Sequence, residues 1–100
     1  MLQHYITIKY ADDTPAAHRD EFCRRMLALK DSIAEVEDIQ IGCDIVAEAR
    51  SWSLLIKLLV ADFDALVAYQ KHPDHQAVVA FNAPYVKEVG VIDFEAFFER

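Results

Sequence analysis

The sequence predicts an α+β fold, a ferredoxin-like β-α-β-β-α-β sandwich with a four-stranded antiparallel sheet and its helices on one face. Three observations lead there. The hydrophobic period is two near both ends of the chain and through its centre. Between those stretches it twice lengthens to the period of a helix. The 100 residues have the length of one domain, spanning 1–100, with no repeat or linker.

Residues 2–10, LQHYITIKY, alternate. Leu2, His4, Ile6, Ile8 and Tyr10 share one face and Gln3, Tyr5, Thr7 and Lys9 the other, as in a half-buried strand. After the turn ADDTP, Thr14 is the expected N-cap and Pro15 the first helical residue. A helix follows over 15–34, with Phe22, Met26, Leu29 and Ile33 as its apolar stripe. Arg19, Asp20, Arg24, Arg25 and Asp31 form its solvated side. From Val36 the period returns to two, which places a second strand over 36–45.

The third strand is expected over 51–60, with Trp52, Leu54, Ile56, Leu58 and Val60 on one face. Leu55 and Leu59 make its other face apolar too, so both faces require cover. Asp62 caps a short helix with Phe63, Leu66, Val67 and Gln70 on one side. Pro73 ends that helix by steering His72 away from the α region. Asp74 caps another over 75–82, which Asn82-Ala83-Pro84 breaks. The last strand is placed over 89–97, with Val89, Val91 and Asp93 on one face and Gly90, Ile92 and Phe94 on the other.

Hydrophobic residues make up 54% of the chain, more than a small two-layer domain readily hides. A second copy packed on the open sheet face, through Leu55, Leu59, Val89 and Val91, would cover the excess and form a dimeric α/β barrel. The net charge of -7 and the scattered basic residues argue against nucleic acid and against anionic membranes. Cys23 and Cys43 form no CxxC pair and read as buried free thiols of a reducing compartment. With no secretory signal and no membrane-length apolar run, the expected location is cytoplasmic.

The segment YQKHPDHQ, 69–76, holds the candidate chemistry. His75 shares a helix side with Val78, Val79 and Asn82 and faces the sheet. In a first helical turn the dipole disfavours imidazolium, so His75 is expected to be neutral near pH 7. Tyr69 stands on the shoulder of the preceding apolar stripe, and His4 points the same way from the first strand. Converging in an apolar setting, the three would form an acid/base site. An architectural reading accounts for the same residues: Pro73 as stop, Asp74 as cap, His75 bonded to a backbone carbonyl and Tyr69 bonded across the helix break. No metal is expected, because Pro73 interrupts the helix that would align His72 with His75.

The Tyr-x-x-His-Pro-x-His segment Tyr69–His75, the opening strand His4–Tyr10 and the closing Val91-Ile92-Asp93-Phe94 resemble the stress-responsive A/B barrel (Dabb) family over nearly the whole chain. The resemblance implies a dimeric ferredoxin-like barrel. Within that family the segment is similar to that of a plant polyketide cyclase, which implies Tyr69 and His75 as a catalytic acid/base pair working without a cofactor. It also implies His4 and Phe22 as pocket residues. The chain departs from that pattern at Cys23 and Met26, where pocket aromatics stand, at Val78, where a Phe stands, and at Leu54, where a His stands.

The expected pocket is lined by His4, Ile6, Phe22, Met26 and Val78. Its expected occupant is a small apolar or carbonyl-containing molecule. The alternatives are a cofactor-independent cyclase, isomerase or lyase and, on analogy with other barrels of the fold alone, a cofactor-free monooxygenase.

Overall fold

Alternation makes β1 (Leu2–Tyr10) the spine of the sheet in a computed structural model that describes residues 1–100. After it come α1 (Ala16–Ser32), β2 (Asp38–Cys43), β3 (Leu54–Val60), α2 (Phe63–Lys71), α3 (Pro73–Asn82), a short 3-10 turn (Ala83–Tyr85) and β4 (Val86–Phe94). The sheet order is β2-β3-β1-β4, and every pairing is antiparallel. This is the ferredoxin-like architecture the periodicities predict.

Cross-strand partners share a face. Ile6 pairs with Ile56 and Val91, so all three point to the helices. On β3, Leu54, Ile56, Leu58 and Val60 are all at most 2% exposed beneath that layer. The α1 stripe of Phe22, Met26, Leu29 and Ile33 is buried against it, as the spacing requires.

The register corrects the proposed dimer face. Val89 pairs with Ile8 and Val91 with Ile6, so both lie on the helix side of the sheet. Leu55 and Leu59 lie on the opposite face with Tyr5, Thr7 and Ile92. That open face also holds an aromatic cluster, with Tyr5 and Phe94 rings 5.1 Å apart and Phe94 and Phe97 rings 4.9 Å apart. Trp52 joins this side rather than the Leu54 face, because the regular strand begins only at Leu54. Its ring lies over Gly90, where an added Cβ would stand 3.4 Å from Trp52 and 2.7 Å from Thr7 Oγ1.

The helix ends differ from expectation for local reasons. Thr14 does not cap α1: its hydroxyl donates to the Ala11 carbonyl at 2.7 Å, and the helix starts at Ala16. Asp62 does cap α2, accepting from the Ala65 N–H at 2.9 Å. The buried face of α2 carries Leu66 and Tyr69, while Phe63 is 69% exposed and Gln70 is exposed. His72, not Asp74, caps α3, its Nδ1 accepting from the Asp74 N–H at 3.1 Å. Pro73 therefore opens α3 at its first position, where its missing N–H costs nothing.

The two outer strands are shifted or shortened: β2 stops at Cys43, and β4 occupies 86–94 rather than 89–97. Cys43 is exposed and Cys23 half-buried, both unbonded, which corrects the expectation of two buried thiols. Burial, with the nearby Cys43 second, pushes the Cys23 thiol up to about 11. No helix is long and apolar enough to cross a membrane.

Leu58 is 1% exposed and Ile45 94% exposed. Leu58→Ala is expected to lower the unfolding free energy by about 2–5 kcal/mol, through lost transfer energy and a residual cavity. Ile45→Ala is expected to change it by less than about 0.5 kcal/mol. Urea midpoints at constant m measure both.

Candidate functional site

A cavity of about 440 Å³ lies between the helical layer and the sheet. Its floor is His4, Ile6 and Ile8 of β1, with Ile56 of β3. Phe22 and Met26 enter from α1. Tyr69 and Gln70 of α2, then His75, Val79 and Asn82 of α3, close it above. Val89 and Val91 line it from the edge strand and are each 56% exposed, which marks the mouth.

Tyr69 is 1% exposed, and its hydroxyl has no hydrogen-bond partner in the chain. Leaving a buried hydroxyl unpaired costs about 1–3 kcal/mol. Burial also pushes its pKa well above the ordinary 10.0, so the group stays protonated and can donate.

His75 packs its ring 4.3 Å from that of Tyr69, tilted by 41°. Its Nδ1–H donates to the Gln70 carbonyl at 3.2 Å, which leaves the Nε2 lone pair free. Burial lowers its pKa from 6.5, with the Gln70 bond opposing and the His4 and His72 charges adding to the fall. The neutral state expected from the helix dipole is thus produced chiefly by desolvation. His4, 4% exposed, sets its Nδ1 2.5 Å from Asp93 Oδ1 across the β1–β4 ladder. Its ring meets Tyr69 edge-on at 6.4 Å.

His4, Ile6, Phe22, Met26, Tyr69 and His75 thus line one cavity. Val78 does not. It is 7% exposed in the core, and Val79, 46% exposed, takes its place at the cavity. The inward line of α3 runs through Val78 and Asn82, one turn apart, which turns Val79 to the side. No group of three His, Cys, Asp or Glu converges on a metal position.

Four residues were missed. Asp93 holds His4, although an acid among Val89 and Val91 on a strand face was a visible signal. Tyr10 Oη–H donates to Asn82 Oδ1 at 2.6 Å, and His18 Nε2–H donates to the same oxygen at 2.9 Å. Burial, outweighing the Asn82 bond, pushes Tyr10 up to about 12. The His18 ring packs between Phe81 at 4.7 Å and Tyr85 at 4.1 Å. His18 falls four residues before Phe22 on the α1 stripe, so its inward direction was legible although its partner was not.

Fold and cavity together define a ferredoxin-like α+β protein with a mainly apolar pocket beneath its second helical region. The chain belongs to the stress responsive A/B barrel domain family, whose model matches residues 2–96. The fold recurs in a dimeric ferredoxin-like protein of unknown function from Thermobifida fusca (22% identity, TM-score 0.84), with 95% of this chain and 90% of that one covered. An Arabidopsis thaliana protein matches at 17% identity and TM-score 0.87, covering 100% and 99% of the two chains. The hydroxynitrile lyase of Passiflora edulis matches at 12% identity and TM-score 0.84, covering 98% and 96%. At these identities the likeness establishes the fold alone. No curated protein matches the sequence.

Tyr69→Phe removes the unpaired hydroxyl and keeps the ring, so the unliganded protein is expected to gain about 1 kcal/mol, read from urea denaturation. A loss of stability would show that the hydroxyl is satisfied. His75 has its folded pKa below the unfolded 6.5. Its contribution is fully present above 6.5 and lost as pH falls from there through the lower folded value. In Tm-against-pH curves, His75→Gln is expected to remove that part of the slope.

Proposed function

We propose that the cavity binds a small, largely apolar molecule through a carbonyl oxygen, with the Tyr69 hydroxyl as donor. The observation that carries this is the unpaired Tyr69 hydroxyl, buried in the wall of a mainly apolar cavity. A ligand oxygen would remove the cost of leaving that hydroxyl unpaired.

A second reading adds proton transfer without a cofactor, as in an isomerase, cyclase or lyase. It is favoured by the His75 tautomer, whose Nε2 carries a free lone pair beside Tyr69. In that reading Nε2 removes a proton from the carbon next to the carbonyl, and Tyr69 stabilises the enolate oxygen that forms. The Passiflora edulis lyase supports it only as a protein of the same fold.

We further propose a cytoplasmic homodimer joined through the open sheet face. The Thermobifida fusca neighbour is dimeric. On this chain the face holds Leu55, Leu59, Ile92 and the Tyr5–Phe94–Phe97 cluster. Ile92 is 62% exposed and Phe97 57% exposed, apolar surface that a partner sheet would cover.

Titrated by NMR, para-ethylacetophenone is expected to bind, and Tyr69→Phe to weaken it by up to about tenfold. No binding by ketones of this kind would overturn the first reading. In D2O, the wild type is expected to accelerate deuteration of the acetyl methyl group, and His75→Gln to slow it on the order of 10²–10⁴-fold. A rate equal to that in buffer would leave a binding protein without proton transfer. Sedimentation is expected to give a dimer at micromolar concentration and a folded monomer for Leu59→Glu. A wild-type monomer would refute the interface.

A further inference from the structure

Asn82 lines the same cavity, is 4% exposed, and has no part in the reading above. Its Oδ1 takes both hydrogen bonds, from Tyr10 and His18. An amide offers two donors besides that oxygen. With Oδ1 held by the buried pair, the Nδ2 group makes no hydrogen bond within the chain, and the residue lines the cavity.

Position adds a second argument. Asn82 follows His75 by seven residues on α3, about 10 Å along the axis at ~1.5 Å per residue. The His75 ring touches Tyr69. The cavity therefore has one donor near each end of α3 and mainly apolar side chains between them.

We propose that Asn82 is a second recognition group of the cavity, donating from Nδ2 to a neutral carbonyl oxygen at the opposite end of the ligand from Tyr69. The ligand class is an elongated, mostly apolar molecule with an acceptor oxygen near each end, such as a diketone, a keto ester or a keto amide. A carboxylate is disfavoured because no Lys or Arg lines the cavity, and a buried anion without a cation partner is costly. The proposal rests on the reading that Tyr69 takes a carbonyl oxygen. It adds the length of the ligand and its second polar group.

Two probes of nearly equal shape separate the ends. Para-ethylacetophenone carries one carbonyl, and para-diacetylbenzene replaces its ethyl group by a second acetyl. Both are titrated against the full chain by NMR. Wild type is expected to bind the diketone on the order of fivefold more tightly, the factor that one neutral hydrogen bond supplies. Asn82→Asp keeps an oxygen for Tyr10 and His18 but loses the NH2 donor, and is expected to abolish the preference. Tyr69→Phe is expected to weaken both probes alike and preserve it.

Equal affinity of wild type for the two probes, or a preference retained in Asn82→Asp, would overturn the role of Asn82 and leave the Tyr69 reading standing. Failure of both probes to bind wild type would overturn both. The side-chain NH2 resonances of Asn82 in wild type give a test that needs no variant. They are expected to shift with the diketone and not with the monoketone, and resonances unmoved by bound diketone would overturn the proposal.

Discussion

The pairing of β1 with both β3 and β4 is the constraint on which the rest depends. A central strand has no freedom to slip, because one step would exchange its two faces. That register turns His4, Ile6 and Ile8 toward the helices and carries Ile56, Val89 and Val91 with them. The cavity floor is thus a consequence of ladder geometry before any ligand is considered. The same pairing places Asp93 opposite His4, so the β1–β4 ladder holds the imidazole and its carboxylate partner together.

Above the floor, the helix break does the positioning. Pro73 begins α3 with a backbone that His72 caps, and α2 ends at Lys71, two residues before Pro73. The turn brings His75 back beside Tyr69 and lets its Nδ1 reach the Gln70 carbonyl. Of the architectural account, the helix break at Pro73 and the His75 bond to a backbone carbonyl are present. His72 takes the capping role expected of Asp74, and Tyr69 makes no bond across the break. The bonds that shape the break also fix the tautomer of His75. What the architecture does not satisfy is the Tyr69 hydroxyl, a fully buried side-chain polar atom left without a partner. Folds tolerate such a local conflict chiefly where function requires it.

Much of this was legible from spacing. The α1 stripe, the two faces of β1 and the inner face of β3 follow from periods of 3.6 and two. The α1 stripe and the inner β3 face are buried, and on β1 His4, Ile8 and Tyr10 are buried while the other face is half-buried. Thr14 misled because its hydroxyl had a nearer acceptor in the Ala11 carbonyl. Val78 and Val79 illustrate the limit of helical periodicity. Both fall within the inward arc, and only the line through Val78 and Asn82 decides that one enters the core while the other meets the cavity. Trp52 was placed on the wrong face because alternation was extended through 51–53, where the backbone is irregular.

By itself the sequence determined the element order, the inward stripes and the inward direction of His4 and His75, since each depends on periodicity within one strand or one helix. Bringing them and Tyr69 to one cavity took the tertiary structure. Tertiary structure alone decided that Val89 and Val91 share a face with Ile6 and Ile8, because strand register is a relation between distant segments. It alone joined Tyr10 and His18 to Asn82, which are 72 and 64 residues away in the chain. It alone left Tyr69 without a partner, because an unpaired group is defined by everything that packs around it.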